Sequence, residues 1–230
     1  LVSLGEQPSL SIVQVGAFIG DTPNDPLVSF LRHQLDPATK RAETNVKVVL
    51  VEPVREYFNT LRRNYEGLSN IQFENVAIAE SEGVRQLYRL KLDPAEYGYP
   101  EWLKGLSSLK AERMERLWDK YDKNPALKRF YLEHRVAEGV RCITLSQLLD
   151  QHDIDQLDLL QIDAEGYDFE ILKSIDFSKI KPRFINYERV LLQENNAPCR
   201  QLLSDQGYIL MDWGQDTLCI LPASAARSRT

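Results

Sequence analysis

Residues 159–172 constrain the fold of this chain more than any other segment. An apolar run is followed at once by two carboxylates and a glycine, which are Asp163, Glu165 and Gly166. Helical spacing of apolar residues resumes directly after them, so the order predicts a buried strand, a tight turn and a helix. In an open α/β sheet, ligands bind outside the carboxyl ends of the strands. We therefore expect Asp163 and Glu165 at the mouth of a binding crevice.

A second strand-to-turn transition lies near the start of the chain. Residues 12–15 are apolar or β-branched apart from Gln14, and Gly16 and Gly20 bracket the turn that follows. Glycine allows positive φ and a close approach of the backbone to a ligand. The Gly-x-x-x-Gly spacing differs from the Gly-x-Gly-x-x-Gly of dinucleotide sites. The pattern favours a ligand-binding turn, and a tight turn without a ligand is the alternative.

Residues 46–51 form a third apolar run, which ends in Glu52 and Pro53. A carboxylate at such a strand end can accept hydrogen bonds from both hydroxyls of a ribose. The alternative is a residue that only faces solvent. Together with the glycine turn, the position of Glu52 favours a nucleoside ligand.

The alternation of strands and helices predicts an α/β fold with a doubly wound sheet. Residues 208–213 and 217–221 flank a short turn and predict a C-terminal antiparallel hairpin. Strand-like runs at 84–92 and 136–143 enclose a charged, aromatic, helical stretch that breaks the alternation. At 230 residues, we expect a single domain over 1–230, with an insertion or lid at about 84–142.

The composition narrows the partners. The net charge is -6 and there is no basic run, which argues against nucleic-acid binding. No apolar stretch approaches the roughly 20 residues of a spanning helix, so no membrane segment is expected. The cysteines are odd in number and far apart in sequence, which predicts reduced, buried thiols and a cytoplasmic protein; they are Cys142, Cys199 and Cys219. The oligomeric state is left open.

Candidate catalytic groups lie at neighbouring strand ends. Asp163 follows one predicted strand, and Glu188 ends the next predicted strand along the chain. Two such carboxylates can share a proton, bind a hydroxyl or hold a divalent cation such as Mg²⁺, and the sequence leaves the metal question open. His134 is a competing base, although a histidine on an apolar helical stripe is more often a packed residue. The insertion also carries a serine-rich element at 107–109, and aromatic residues that either line an acceptor pocket or pack the insertion: Tyr97, Tyr99, Trp102 and Trp118.

These motifs together resemble the FkbM family of S-adenosylmethionine-dependent methyltransferases. The resemblance covers about residues 12–190 and is most specific at 162–166, followed by Ile171 and Leu172; the pairs at 16–17 and 52–53 and Glu188 also match. It implies the class I methyltransferase, Rossmann-like fold. It also implies S-adenosylmethionine as cofactor and a hydroxyl of a small molecule, sugar or natural product as the methyl acceptor.

The resemblance assigns residues to parts of the cofactor. It implies that the methionine end contacts Gln14, Gly16, Ala17, Phe18 and Gly20. The ribose would contact Glu52 and Pro53. The adenine would contact Asn75, Val76 and Ala77. Asp163 and Glu165 would contact cofactor or acceptor, and Asp163, Glu188 and His134 are the catalytic candidates. An acidic residue is usual at position 14, so Gln14 changes the expected contact with the methionine amino group. Residues 21–24 also lengthen the loop before the first helix.

Two functions of different classes remain at this point. The first is an O-methyltransferase, in which an acceptor oxygen attacks the sulfonium methyl group. The second is a cofactor-binding or scaffold module of a larger assembly, without turnover. An NAD-dependent oxidoreductase is disfavoured because the glycine spacing is wrong for a dinucleotide.

Overall fold

A seven-stranded sheet organises the protein, as seen in a computed structural model. The structure describes residues 10–22, 25, 27–35, 46–99, 101–111 and 125–223. The strands are β1 (Leu10–Val15), β2 (Val46–Val51), β3 (Ile71–Glu74), β4 (Ala77–Ile78), β5 (Gly83–Leu90), β6 (Ser107–Ser108), β7 (Arg135–Ile143), β8 (Leu159–Ile162), β9 (Phe184–Glu188), β10 (Ile209–Trp213) and β11 (Asp216–Ile220). The helices are α1 (Val28–Leu35), α2 (Arg55–Asn64), α3 (Pro125–His134), α4 (Leu145–Gln151), α5 (Asp168–Lys173) and α6 (Asn196–Asp205), with 3₁₀ segments at Pro94–Tyr97, Glu101–Lys104 and Val190–Asn195.

The strand order in the main sheet is β10-β11-β9-β8-β1-β2-β3. The pairs from β3 to β9 are parallel, whereas β11 runs antiparallel to both β9 and β10. The predicted doubly wound sheet and C-terminal hairpin are therefore confirmed. From β1 the chain first adds β2 and β3 on one side of the sheet and later adds β8 and β9 on the other. A doubly wound sheet binds its ligand in the crevice at such a reversal of strand order.

Local sequence explains these elements. All of β2 except Lys47 is buried, as expected for a parallel strand covered on both faces. In α2, Tyr57 and Leu61 lie four residues apart and are buried in apolar clusters that include residues of β1 and β2. Helix α4 begins with a capping box, in which Thr144 Oγ1 accepts from the backbone N–H of Gln147 at 3.1 Å while Gln147 Oε1 accepts from the backbone N–H of Thr144 at 2.9 Å.

A second, four-stranded sheet has the order β4-β7-β5-β6. Here β5 and β7 are the strands predicted at 84–92 and 136–143, and they pair antiparallel along their length. Helix α3 and the 3₁₀ segments pack on this sheet through a separate apolar cluster: Leu90, Leu103, Leu106, Leu127, Phe130 and Tyr131. The Tyr57 hydroxyl of α2 donates to the Lys104 carbonyl at 2.9 Å, and so links the insertion to the main sheet layer.

Two of the sequence expectations concern residues outside the described ranges. They are Trp118, one of the aromatic residues of the insertion, and positions 23–24 of the lengthened loop before the first helix. None of the helices in the part of the chain that the structure describes is long and apolar enough to span a membrane. All three cysteines are free and buried.

Candidate active site

The strand order brings four predicted residues to one edge of the main sheet. Strands β2, β1, β8 and β9 are direct neighbours and parallel, so their carboxyl ends lie side by side. Glu52, Gly16 and Asp163 directly follow the first three strands, and Glu188 is the last residue of β9. The carboxylates are thus arranged on both sides of the glycine turn after β1.

The glycine turn packs tightly against the loop after β8. Gly16 has φ 80°, and its N–H donates to the Val51 carbonyl at 3.0 Å. A Cβ atom at Gly16 would lie 1.8 Å from the backbone oxygen of Asp163. At Gly20, a Cβ atom would lie 2.4 Å from side-chain atoms of Leu61. The turn therefore requires glycine at both positions, for conformation and for space.

Both oxygens of Glu52 are held by backbone hydrogen bonds. It is 3% exposed, and its Oε2 and Oε1 atoms accept from the backbone N–H groups of Phe18 at 2.9 Å and Val54 at 2.8 Å. Burial raises the pKa of Glu52 to about 8, although the two N–H groups and the Arg89 guanidinium lower it. Phe18 itself has φ 47°, an unusual backbone conformation for a side chain of this size.

Asn75 fixes the segment after β2 rather than pointing into a cavity. Its Nδ2 atom donates to the carbonyl oxygens of Glu52 at 2.8 Å and Pro53 at 3.0 Å. Val76 and Ala77, which follow it, are buried and form part of an apolar wall. Of the three residues expected at the adenine, Asn75 positions the backbone and the other two supply surface.

Two adjoining cavities open along this edge. One, of about 680 Å³, has mainly polar walls that include Gln14, Asp25 and Gln161, and we call it the polar cavity. The other, of about 420 Å³, has walls that include Val76, Ala77, Ile78 and Leu87, and we call it the apolar cavity. Both are lined by Gly16, Glu52, Ser107 and Asp163. The shared walls make them two compartments of one crevice.

The carboxyls near β8 and β9 have raised pKa values. Burial, followed by the charges of Asp216 and Asp25, raises the pKa of Asp163 to about 6. Burial, followed by the charge of Asp163, raises the pKa of Glu188 to about 9. At neutral pH, Asp163 is therefore the group that carries the charge and Glu188 the group that keeps its proton.

Asp168 is a site residue that the sequence analysis did not identify. It is fully buried; its Oδ2 accepts from the Gly166 N–H at 3.1 Å and its Oδ1 from the Glu188 N–H at 3.3 Å. Burial, then the charge of Asp163, raises its pKa to about 7. Asp168 thereby joins the loop after β8 to the end of β9. An aspartate two residues after a turn glycine was the available signal.

Glu165 faces the crevice and does not cap the helix that follows it. The residue before α5 is Tyr167, which makes no side-chain capping bond, and the N–H of Gly166 is taken by Asp168. Glu165 instead lines the polar cavity, with φ 49°. Burial, followed by the charge of Asp163, raises its pKa well above the usual range.

His134 lies within the insertion and not along the crevice. Its Nδ1 atom is 2.7 Å from the Phe130 carbonyl oxygen, and its ring centroid is 4.6 Å from that of Phe130. It does not line either cavity. Tyr97 and Trp102 are each 55% exposed, whereas Tyr99 packs on Phe130 with centroids 4.2 Å apart. By contrast, Ser107 lines both cavities.

The carboxylates are not assembled as a metal site. Among the described residues, no group of three or more His, Cys, Asp or Glu side chains is arranged to hold a metal ion. The neighbouring carboxyl groups instead raise one another's pKa values, since like charges in a crevice disfavour each other's ionisation.

The sequence matches the family described as "Methyltransferase FkbM domain" over residues 14–210. This match covers most of the chain, and it includes every residue proposed for the site. Among curated proteins, none matches the sequence significantly.

Solved structures with a similar fold include three methyltransferases. Precorrin-6y C5,15-methyltransferase from Geobacter metallireducens has 12% identity and a TM-score of 0.41, with 94% of this chain and 82% of that chain covered. An O-methyltransferase from Bacillus cereus, in complex with SAH, has 11% identity and a TM-score of 0.40, with 91% and 73% covered. The O-methyltransferase TomG from Streptomyces achromogenes, involved in tomaymycin synthesis and in complex with SAM, has 10% identity and a TM-score of 0.39, with 93% and 73% covered.

Proposed function

The chain belongs to the FkbM methyltransferase family, and we propose that it transfers a methyl group from S-adenosylmethionine to a hydroxyl oxygen of a small molecule. The observation that carries this proposal is Glu52. A buried carboxylate at the end of β2 faces both cavities beside the glycine turn. We infer that it accepts hydrogen bonds from the ribose hydroxyls of the cofactor.

The residues present fit such a cofactor. Each oxygen of Glu52 accepts one backbone N–H, and a carboxylate oxygen has a second lone pair with which it can accept from a hydroxyl. The apolar cavity, with Val76 and Ala77 in its wall, suits a flat nucleobase. At Gly16, the missing side chain lets the turn approach Asp163 closely. The methionine part would extend from there into the polar cavity.

The chemistry divides between the cofactor and the chain. When bound, S-adenosylmethionine supplies a methyl group on a positively charged sulfur, which is already a strong electrophile. The chain aligns the acceptor oxygen and excludes water. Asp163, ionised at neutral pH, accepts the hydroxyl proton. Glu188 lines neither cavity, so we infer that its protonated carboxyl acts on the acceptor only indirectly, through the neighbouring Asp163.

The lining of the crevice suggests the acceptor class. Asp163 and Glu165 line the polar cavity beside the part that the methionine moiety would take. Such carboxyl groups can bind the hydroxyls of a polyhydroxylated compound such as a sugar or a natural product. A small molecule of this kind is the proposed substrate.

Calorimetric titration of the protein with S-adenosylmethionine, S-adenosylhomocysteine and NADH tests the cofactor assignment. We expect both sulfur nucleosides to bind and NADH not to bind. Transfer of a labelled methyl group to a panel of hydroxylated acceptors then tests turnover. Cofactor binding without any labelled product would favour the scaffold function, and failure of both nucleosides to bind at millimolar concentration would reject the methyltransferase proposal.

A further inference from the structure

A buried polar atom in the polar cavity lacks a partner. The Gln14 side chain is 4% exposed, and its Oε1 atom has no hydrogen-bond partner among the described residues. Gln14 also lines the polar cavity. Buried side-chain oxygens nearly always have a donor, so this atom is available for a ligand that brings one.

The orientation of the Gln14 amide is set by Asp25. Gln14 Nε2 donates to Asp25 Oδ2 at 3.1 Å, while Asp25 Oδ1 accepts from the Leu27 N–H at 2.8 Å. Because an ionised carboxylate only accepts, the amide must turn its NH₂ group toward Asp25 and leave Oε1 free. Asp25 is partly buried and also lines the polar cavity. Side-chain oxygens of Gln14 and Asp25 therefore lie in the wall of the same cavity.

The charge around these oxygens selects the ligand. The polar cavity is lined by the carboxyl groups of Asp25 and Asp163, and none of its lining residues is Lys or Arg. A group with several N–H donors and a positive charge satisfies an amide oxygen and a carboxylate at once. A protonated primary amine has this chemistry.

We propose that Gln14 and Asp25 together bind the α-ammonium group of the methionine moiety, with Asp25 supplying a charge that Gln14 lacks. This inference rests on the proposed function. Asp25 is then a cofactor-binding residue contributed from the entrance of α1. Gln14 donates to Asp25 through Nε2 and accepts from the ligand through Oε1.

Two nucleosides that differ in the amino-acid part provide the test. S-adenosylhomocysteine has the ammonium group, whereas 5′-methylthioadenosine keeps the adenine, ribose and sulfur without it. We expect Asp25→Asn and Gln14→Leu to weaken S-adenosylhomocysteine binding by roughly 10- to 100-fold, the usual range for a charge-assisted hydrogen bond. Binding of 5′-methylthioadenosine should stay within about twofold, because the contacts of the nucleoside part are untouched.

Asp21→Asn is the matched control, since Asp21 lies in the same loop, is exposed and pairs with Arg32 at 3.1 Å. It should change neither affinity. If Asp25→Asn weakens both nucleosides equally, Asp25 acts only on the structure and the inference is wrong. The inference is also overturned if Asp25→Asn leaves S-adenosylhomocysteine binding unchanged. If the unmodified protein binds neither nucleoside, the proposed function itself fails, which is a different result from a variant that does not discriminate.

Discussion

The backbone N–H of Phe18 donates to the Oε2 atom of Glu52 at 2.9 Å. This hydrogen bond joins the turn after β1 to the end of β2, so the glycine turn and the residue proposed to bind the ribose are held together. The other carboxyl oxygen of Glu52, Oε1, accepts from the Val54 N–H at 2.8 Å, at the start of α2. Glu52 consequently has a structural as well as a binding role.

This dual role changes what substitution of Glu52 should do. Glu52→Ala leaves two buried N–H groups without an acceptor, so we expect it to lower the free energy of unfolding by about 1–3 kcal/mol. We expect Glu52→Gln to keep more of that stability while it weakens S-adenosylmethionine binding by about 1–3 kcal/mol, since the glutamine side chain offers one acceptor oxygen where the carboxyl group has two. Urea unfolding and calorimetry measure the two effects. Glu66→Ala, at an exposed position in the same layer, is the control, and unchanged cofactor affinity in Glu52→Gln would contradict the ribose assignment.

The close approach of Gly16 to Asp163 gives a second prediction. Gly67 has φ 87° with open space around it, whereas Gly16 has φ 80° and a backbone oxygen 1.8 Å from where a Cβ would be. Gly67→Ala should cost only the conformational strain, about 1–2 kcal/mol. Gly16→Ala should cost more than that and should also abolish cofactor binding, because the turn must move away from β8. Thermal unfolding of the two variants measures the difference, and equal losses would show that the contact at Gly16 is not tight.

Much of the fold and of the crevice follows from local patterns in the sequence. Apolar runs that end in Gly16, Glu52 and Asp163 are readable without a structure, because strands in parallel sheets are buried and their carboxyl ends share an edge. Once the order of the strands in the sheet is known, their parallel pairing brings these residues to the same edge.

Other site residues depend on tertiary packing that no local pattern encodes. Asp168 reaches the N–H of Glu188 only because β8 and β9 are neighbours in the sheet. Gln14 meets Asp25 only because of how the chain enters α1. His134 lies apart from the cavities because the insertion packs it on Phe130, and its sequence spacing is equally compatible with either placement.

The raised carboxyl pKa values predict that the ligand-free protein is most stable in mild acid. The pKa is about 8 for Glu52, about 7 for Asp168 and about 9 for Glu188. A carboxyl with a raised pKa holds its proton more tightly in the folded state, so its stabilisation is present below the ordinary pKa and is lost as the pH rises toward the folded one. We expect the urea midpoint to fall between about pH 5 and about pH 9.

Glu188→Gln isolates one of these groups. It should flatten the upper part of the pH dependence, because glutamine has no proton to lose. Glu66→Gln, which removes an exposed carboxyl, should leave the curve as it is in the unmodified protein. A midpoint that rises with pH across this range would contradict the burial of these carboxyls as the cause.

We propose that the insertion at about 84–142 acts as a lid over the crevice. Ser107 lines both cavities, and the bond from the Tyr57 hydroxyl to the Lys104 carbonyl at 2.9 Å holds the adjoining segment down. Limited proteolysis should cut at 93–105, and S-adenosylhomocysteine should slow the cutting. Tyr57→Phe should accelerate it, whereas Tyr208→Phe, which removes a similar bond to the Pro182 carbonyl, should not. Equal cutting with and without ligand would indicate a rigid insertion.

The division of roles between Asp163 and Glu188 gives the last prediction. With pKa values of about 6 and about 9, the pair is suited to one ionised base and one protonated partner over the intervening pH range. Asp163→Asn should lower turnover by about 10²–10⁴-fold, the range for a lost general base. Glu188→Gln keeps a neutral hydrogen-bond donor, so it should retain most activity near neutral pH. We expect the rate of the unmodified protein to decline as the pH rises toward about 9, the pKa of Glu188, and Glu188→Gln to lose that decline. His134→Ala should retain activity, because His134 lines neither cavity. Turnover is measured across pH together with the S-adenosylhomocysteine affinity of each variant, which separates loss of catalysis from loss of binding. If His134→Ala is inactive while Asp163→Asn is active, the base lies in the insertion instead.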